Sequence, residues 1–335
     1  MIEGFLGKGG TANVFLARDQ RSHELVVLKR MNAHSAAVPE LRQRFVLEAR
    51  ALESVQHPAV IRVMGIEEPP DEPPWMWLEA LKGESLGEYL ARNERLDPEL
   101  ALRLAREAAH ALEAVHEVGI VHRDVKPDNL FLVGPQGDPD HLKVLDFGMA
   151  RMPDEEHDES STSILGTAQY MAPEQILVEP VDGRSDVYAL GVVLFRMVTG
   201  HLPFDAHNPG DLLRHQLFSP VPPPSWLVDD LPPGLEELIL RATRKNPRHR
   251  YASMRELGSA LDVLVGIVSS VINEAELASH PAWPLLDAEP PHDAYEPVTE
   301  KGLHAARVLA KEFGIYAHGA PRTSTAQPTD PDAAN

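Results

Sequence analysis

The sequence predicts an α+β protein in which a small β-rich part with one helix precedes a larger, mostly helical part. Over residues 1–80, short runs rich in β-branched and aromatic residues alternate with turns. Beyond residue 81 the apolar residues recur mainly at helical spacing. The chain has 335 residues, of which 43% are hydrophobic, so it is long enough to bury a sizeable core.

Composition narrows the classes of function that fit this chain. Its formal net charge of −20 argues against nucleic-acid binding, which needs a basic surface. The absence of cysteine excludes disulfides, thiol catalysis and cysteine-ligated metal sites, and it suits a reducing cytoplasm. Residues 1–10 lack the pattern of a signal peptide. The most apolar stretch, 261–272, contains Asp262 and is shorter than the roughly 20 apolar residues of a membrane span. We therefore expect a cytoplasmic protein without a membrane span, with a buried helix at that stretch.

Four strand-forming regions precede residue 81. Residues 4–17 and 24–31 predict strands separated by Gly-rich or polar breaks. Two further strands are expected over 61–66 and 75–80, and the proline-rich segment 68–74 predicts the loop between them. These strands predict a small sheet.

One helix interrupts these strands. Pro39 suits a first helical turn, and the helix is expected to stop near His57, because the residue before a proline resists helical geometry. Its apolar face is predicted from residues that recur at roughly helical spacing, namely Leu41, Phe45, Leu47, Leu52 and Val55.

The second part is predicted to be helical. Asp97 is a good N-cap, Pro98 suits the first turn, and Gly119 is a natural stop. Its buried face is expected to comprise Leu100, Leu104, Ala108, Ala111, Leu112 and Val115. Short strand-like pieces surround 120–133 and 142–144, and further helices are predicted over 186–199, 211–217, 234–243 and 253–265.

Residues 266–335 are expected to form a C-terminal extension outside the main domain. Many prolines and acids make 280–297 a predicted linker, and 299–313 has the pattern of one amphipathic helix. Residues 321–335 are rich in Pro, Thr, Asp and Ala and are expected to be disordered.

A glycine-rich run lies between the first two strands. Glycines let a backbone approach phosphates closely, with their N–H groups directed at the anion. The same cluster also fits an ordinary hairpin turn, and it lacks the G-K-[ST] ending of a P-loop. The run comprises Leu6, Gly7, Lys8, Gly9, Gly10, Thr11, Ala12, Asn13 and Val14.

Lys29 follows an apolar strand run. A lysine there is ordinarily a solvated strand end, but one that faces a cleft can bind the α- and β-phosphates of a nucleotide. Such a lysine needs a carboxylate to hold its position. Glu48, near the middle of the predicted helix, is the carboxylate available for that role.

Residues 120–130 hold the greatest concentration of reactive groups. Asp124 can accept the proton of an attacking hydroxyl, and Lys126 can neutralise charge on a transferred phosphoryl group. Asn129 offers a neutral oxygen to Mg²⁺, a hard cation that prefers oxygen ligands. Asp146, at the end of the next strand run, supplies a second such ligand.

Together these motifs resemble the protein kinase family, over about residues 1–265. Each motif is short, so the resemblance depends on their joint order and spacing. The segment 166–174 and the lysine after Asp124 resemble the eukaryotic-like Ser/Thr kinases of bacteria. The matching positions are Gly7, Gly9, Val14, Lys29, Glu48, His122, Arg123, Asp124, Lys126, Asn129, Asp146, Ala172-Pro173-Glu174, residues 185–191, and Arg250 as the partner of Glu174.

The resemblance implies a two-lobed kinase fold, with an N-lobe over 1–80 that contains helix C and a C-lobe over 81–265. It implies ATP and Mg²⁺ as cofactors, with Mn²⁺ as an alternative ion, and transfer of the γ-phosphoryl group to Ser or Thr of protein substrates. Lys29, Glu48, Asp124 and Lys126 would be catalytic, and Asn129 and Asp146 would hold the metal. The 6–14 loop would cover the phosphates, and the adenine would lie among Val14, Val27, Leu132 and the backbone near Glu79 and Leu81, with Leu78 at the back of the pocket.

The resemblance also implies a regulatory segment between Asp146 and Glu174. Arg123 would bind a phosphate there, and Ser160, Ser161, Thr162 and Ser163 are the candidates for autophosphorylation. Thr167 resembles the threonine that contacts Asp124 and Lys126. Two positions depart from the family pattern: Ala12 replaces the third glycine of the loop, and Val27 replaces the strand-3 alanine.

Two other functions stay open at this point. A pseudokinase would bind nucleotide without turnover; against it, the chain has all the charged and metal-binding positions, namely Lys29, Glu48, Asp124, Asn129 and Asp146. A small-molecule kinase of related fold would lack the Lys126-Pro127 pair and the 172–174 motif. The sequence does not identify the protein substrate, the upstream signal or the oligomeric state.

Overall fold

The computed structural model describes residues 1–135, 141–147, 166, 168–206 and 208–270. The first part of this chain is a five-stranded antiparallel sheet in the order β1-β2-β3-β5-β4. Its strands are β1 Ile2–Lys8, β2 Ala12–Arg18, β3 Leu25–Met31, β4 Val63–Glu67 and β5 Trp75–Glu79. All four predicted strand regions are confirmed, with the glycine-rich run dividing the first into β1 and β2.

Two helices, α1 Ala33–Ala36 and α2 Pro39–Glu53, connect β3 to β4. Leu41, Phe45 and Leu52 of α2 are buried as predicted, but Leu47 is 57% exposed. The prediction for Leu47 was wrong because a residue two positions after Phe45 points to a different side of a helix. Val46 and Ala49 complete the buried face instead.

The second part is mainly helical. A small antiparallel sheet, β6 Gly83–Ser85, β7 Leu130–Val133 and β8 His141–Val144, lies where the two parts meet. The helices are α3 Leu86–Arg92, α4 Pro98–His116, α5 Pro173–Ile176, α6 Gly183–Thr199, α7 Pro209–Phe218, α8 Leu235–Ala242 and α9 Met254–Ser270. Helix α6 is almost entirely buried and packs against α4, α8 and α9, so it is the centre of this lobe.

Several predicted bounds differ from the structure. Strand structure near 120–133 is limited to β7, and Pro127–Asn129 form a 3₁₀ turn. Helix α3 was not predicted, although Ser85 and Glu88 form a capping box at its start. The apolar stretch beginning at Leu261 is helical through Ser270, as expected, and it buries Leu261 and Leu264 while Asp262 is exposed.

No helix within the described ranges is long and apolar enough to cross a membrane. Residues 271–335 lie outside these ranges, and with them the predicted linker, the 299–313 helix and the disordered end.

Candidate active site

The glycine-rich run forms the turn between β1 and β2. The N–H of Gly9 donates to the carbonyl of Ala12 at 2.8 Å, which closes the hairpin. Asn32, after β3, supports the tip, because its Nδ2 donates to Gly10 O at 2.5 Å and its backbone N–H to Thr11 O at 2.9 Å. Ala12 is buried, so its methyl group packs into the core of the lobe. The replacement of the family glycine is therefore accommodated by packing.

The predicted adenine pocket is lined by apolar residues of three strands. Val27 of β3 lies opposite Leu78 of β5 in the sheet register. Leu78 and Leu132 of β7 are buried in the same apolar cluster, and Val27 and Leu81 are partly buried against it. The sheet register makes Val27 and Leu78 neighbours, and Leu132 and Leu81 belong to the same extended apolar cluster. Val14 is half-buried on the neighbouring strand β2.

The carboxylate of Glu79, the last residue of β5, is bound by two neighbouring residues. Lys143 Nζ of β8 contacts Glu79 Oε1 at 2.6 Å, and the backbone N–H of Arg62 donates to the same oxygen at 2.9 Å. Since the carboxylate is held by Arg62, just before β4, and by Lys143 of β8, the predicted recognition of adenine would fall to the backbone of 79–81.

Lys29 and Asp146 join the two lobes. Their Nζ and Oδ1 atoms are 2.8 Å apart, and the Lys29 side chain is largely buried. The ammonium of Lys29 lowers the pKa of the Asp146 carboxyl group, against the opposing effect of burial. Asp146 has a φ of 47°, a left-handed conformation that is uncommon for a residue with a side chain. The lysine and the predicted metal ligand are therefore within reach of one bound group.

Glu48 does not pair with Lys29 as the sequence suggested. Its Oε1 accepts a hydrogen bond from Arg44 Nε at 2.9 Å, one turn earlier on α2. Its Oε2 is buried and has no hydrogen-bond partner within the described part of the chain. Burial raises the pKa of Glu48, and the nearby charges of Arg44, Arg123 and Lys29 only partly offset that effect. The physical reason for the difference is that Arg44 offers a partner on the same helix, whereas Lys29 is already bound to Asp146.

The three predicted catalytic-loop side chains lie together. Lys126 Nζ is 3.1 Å from Asp124 Oδ2. The Nδ2 of Asn129 donates to Asp124 O at 2.7 Å and to Asp124 Oδ2 at 3.1 Å. These contacts fix the orientation of the Asp124 carboxylate, and they use the amide nitrogen of Asn129 while leaving its oxygen to face elsewhere.

Asp186 of α6 holds the start of this loop, a role that sequence reasoning missed. Its Oδ2 accepts from the backbone N–H of His122 at 2.8 Å, and its Oδ1 accepts from that of Arg123 at 2.8 Å. His116 Nε2, at the end of α4, contacts Oδ2 at 2.7 Å. These bonds satisfy two backbone N–H groups that lie outside any strand or helix. They also hold the backbone of Arg123, which has a φ of 65°. Nothing local in the sequence links His116 to Asp186, which lies 70 residues further along the chain.

His122 connects the loop to the residues before Gly148. Its Nε2 contacts the carbonyl of Leu145 at 2.8 Å, and its ring lies 4.9 Å from that of Phe147. The segment that contains Asp124 is therefore in direct contact, through His122, with the segment that contains Asp146.

The segment 168–175 lies against the same loop. Gln175 Nε2 donates to Arg123 O at 2.8 Å, and its Oε1 accepts from Ala172 N at 3.1 Å. The predicted pair of Glu174 and Arg250 is confirmed: both guanidinium Nη atoms bind the carboxylate, at 2.7 and 2.8 Å. Burial raises the pKa of Glu174, but the bonds from Arg250 and Ser185 outweigh it and the net direction is down.

Arg123 is half-buried, and its Nε has no hydrogen-bond partner among the described residues. Burial and the charge of Arg44 lower the pKa of its guanidinium group. The predicted phosphorylation residues Ser160–Ser163, together with Thr167 and Gly148, lie outside the described residues.

Comparison with known proteins agrees with this geometry. Residues 1–259 match the family model described as the protein kinase domain. The chain is 40% identical over 260 residues to the serine/threonine-protein kinase Pkn1 of Myxococcus xanthus, a match that covers 77% of this chain and 37% of Pkn1. It is 37% identical over 261 residues to PknB of Mycolicibacterium smegmatis, covering 76% of this chain and 41% of PknB. The matches thus span less than two thirds of these relatives' own length.

A solved structure gives the same result. The kinase domain of PknI from Mycobacterium tuberculosis superimposes with a TM-score of 0.61 at 26% identity, covering 79% of this chain and 95% of that domain. The two-lobed fold predicted from the sequence is therefore confirmed. This chain belongs to the protein kinase family, among the eukaryotic-like Ser/Thr protein kinases of bacteria.

Proposed function

We propose that this chain transfers the γ-phosphoryl group of Mg·ATP to Ser and Thr hydroxyls of proteins. One observation carries the proposal: Lys126 and Asn129 orient the Asp124 carboxylate, while Lys29 meets Asp146 from the other lobe. In this proposal Asp124 would be the acceptor-binding base and Lys29, from the other lobe, the phosphate-binding lysine. Phosphoryl transfer depends mainly on such positioning and charge stabilisation.

The residues present fit a bound Mg²⁺ ion. Asn129 uses its amide nitrogen toward Asp124, so the oxygen is the atom left for a cation. One carboxylate oxygen of Asp146 contacts Lys29, and the side chain is 52% exposed. Two oxygen donors of this kind suit a hard cation that retains water ligands. The bound ion would neutralise charge on the phosphates.

The protein's own residues divide the remaining work. Lys29 would bind the α- and β-phosphates, and the 6–14 hairpin would cover them with its backbone N–H groups. The apolar cluster around Val27, Leu78 and Leu132 would exclude water from the adenine. Asp124 would orient the acceptor hydroxyl and take its proton, and Lys126 would stabilise the charge of the group in transfer.

Autophosphorylation is part of the same proposal. Arg123 has a buried Nε without a hydrogen-bond partner in the described ranges, and guanidinium groups bind phosphate strongly. A phosphate on Ser160, Ser161, Thr162 or Ser163 would supply that partner. Mass spectrometry of active enzyme after incubation with ATP tests this step, and a lack of phosphate anywhere in 160–167 would contradict it.

A nucleotide-binding scaffold without turnover is the second candidate. One observation favours it: Glu48 binds Arg44, so the carboxylate expected to hold Lys29 is engaged elsewhere. The two candidates agree on nucleotide binding and differ only in turnover. A cytoplasmic location remains a proposal that rests on the absence of cysteine.

Incubation with γ-labelled ATP, Mg²⁺ and myelin basic protein tests the proposed function. Phosphoamino-acid analysis should find label on Ser or Thr of the acceptor. A thermal shift with Mg·ATP, measured on the same sample, reports nucleotide binding separately. If the sample binds Mg·ATP but transfers no label, both before and after pre-incubation with ATP, the kinase proposal is wrong and the scaffold function takes its place.

A further inference from the structure

A chain of buried polar side chains runs through the C-lobe to the segment 168–175, here called the platform. Gln216 of α7 is 1% exposed and Tyr188 of α6 is fully buried. Gln216 Nε2 donates to the carbonyl of Gln169 at 2.6 Å and to that of Ala168 at 3.3 Å. The side chain of Gln216 thus binds main-chain carbonyls of the platform.

The direction of each hydrogen bond in this chain is fixed. Lys245 Nζ donates to the Tyr188 hydroxyl at 2.9 Å, and that hydroxyl donates to Gln216 Oε1 at 2.5 Å. Because Oε1 can only accept, the amide NH₂ group of Gln216 must point at the platform carbonyls. Burial raises the pKa of Tyr188, so its hydroxyl remains a donor across the physiological range.

Such a network is costly to bury unless every member is satisfied, and apolar residues of similar volume would fill the same space. Unlike apolar side chains, the hydrogen-bonded side chains of Tyr188 and Gln216 hold the main chain at 168–169 in a defined position. The far end of the platform is tied to the catalytic loop, through Gln175 Nε2 and Arg123 O at 2.8 Å. The platform is thereby held at one end by Gln216 and at the other by the residue next to Asp124.

We propose that Gln216 and Tyr188 are positioning residues for the protein acceptor: they fix the 168–169 main chain so that a bound acceptor presents its hydroxyl to Asp124. The inference rests on the proposed kinase activity. It assigns α7 a role in acceptor binding and none in nucleotide binding, because neither side chain belongs to the nucleotide-binding half of the site.

Two variants test this role. Gln216→Glu keeps the size of the side chain but directs a second acceptor oxygen at the two carbonyls, and Tyr188→Phe removes the hydroxyl that orients the amide. We expect KM for myelin basic protein to rise about five- to tenfold in each, as for the loss of a buried hydrogen bond. KM for ATP and the slow hydrolysis of ATP without acceptor should stay within about twofold of wild type.

Tyr251→Phe is the matched control. Tyr251 is a fully buried tyrosine of the same lobe that forms no hydrogen bond with residues 168–175 in the described part of the chain. Because the Tyr251 hydroxyl has no hydrogen-bond partner in the described part of the chain, its variant should keep both the thermal stability and the acceptor KM of wild type.

The outcomes separate the inference from the function beneath it. If wild type transfers phosphate but Gln216→Glu and Tyr188→Phe leave acceptor KM unchanged, or raise KM for both substrates equally, the positioning role is wrong. If Tyr251→Phe raises acceptor KM equally, the effect is general loosening and the inference also fails. If wild type itself transfers no phosphate, the proposed function fails first.

Discussion

Arg44 binds Glu48 through Nε and Oε1 at 2.9 Å, and this contact engages the carboxylate that would otherwise hold Lys29. Lys29 in turn binds Asp146 at 2.8 Å. Both partners of the expected Lys29–Glu48 pair are therefore engaged by other charges. Because Arg44 lies four residues before Glu48 on α2, the competing pair needs no contact from outside that helix.

Arg44→Met should release Glu48 toward Lys29. Pairs of this spacing are worth a few tenths of a kcal/mol, so we expect kcat/KM for ATP to rise about two- to threefold in enzyme that carries no phosphate. Arg50→Met is the matched control, since Arg50 lies on the same helix and pairs with Glu68 at 3.4 Å on the surface. Steady-state kinetics would contradict this account if both variants behaved alike.

The Glu174–Arg250 pair should dominate the stability of the C-lobe. Both side chains are almost fully buried, and the guanidinium also donates to three backbone carbonyls. Arg250→Met leaves a buried carboxylate without its partner, so the free energy of unfolding should fall by about 3 to 5 kcal/mol in urea. Arg255→Met, which removes a surface arginine bound to Glu113 and Glu117, should shift the urea midpoint little.

Asp186→Asn should weaken catalysis without weakening nucleotide binding. The variant replaces one oxygen that accepts from backbone N–H groups by a donor, which displaces the backbone of His122 and Arg123. A shift of the adjacent Asp124 by about 1 Å can lower kcat roughly 100-fold. Asp182→Asn, at the N-cap of the same helix, is the control. Equal kcat in the two variants would show that Asp186 does not position the loop.

Lys245 should make stability depend on pH. Its ammonium lies 4.6 Å from the Phe204 ring centroid and 5.2 Å from that of Tyr188. Burial, with a smaller effect of the Arg250 charge, lowers its pKa from 10.5 to about 7. Between those two values the unfolded chain binds more protons than the folded one, so stability rises with pH across that window.

Lys245→Met removes this dependence. We expect the free energy of unfolding of wild type to increase from pH 7 to pH 10 relative to that of the variant, as measured in urea. A difference between the two proteins that does not change over this range would show that Lys245 keeps its ordinary pKa.

Sequence reasoning succeeded where function is encoded locally. Asp124, Lys126 and Asn129 lie within one short run, so their spacing alone predicted that they would meet. It failed where a partner depends on packing. The Lys29–Asp146 contact, which takes Lys29 away from Glu48, joins residues 117 apart in the chain and depends on how the two lobes meet.

The same reason explains the residues that were missed. Asp186 lies 70 residues from His116 and 64 from His122, and Gln216 lies 47 from Gln169. Each polar side chain looked ordinary in its own segment. The departures Ala12 and Val27 were recognisable from the motif, whereas the burial of the Ala12 methyl group appears only in the folded sheet.

The central claim is that Asp124 makes this chain a protein kinase. The most direct test is a single-turnover assay of label transfer from γ-labelled ATP to myelin basic protein, with wild type, Asp124→Asn and Asp262→Asn. Asp262 is an exposed aspartate of α9 that binds His110, so its variant controls for the loss of one charge. We predict transfer to Ser or Thr by wild type and Asp262→Asn, and a loss of at least about 100-fold in Asp124→Asn with Mg·ATP binding retained. Equal transfer by all three proteins would contradict the account, because the phosphoryl transfer would then not depend on Asp124.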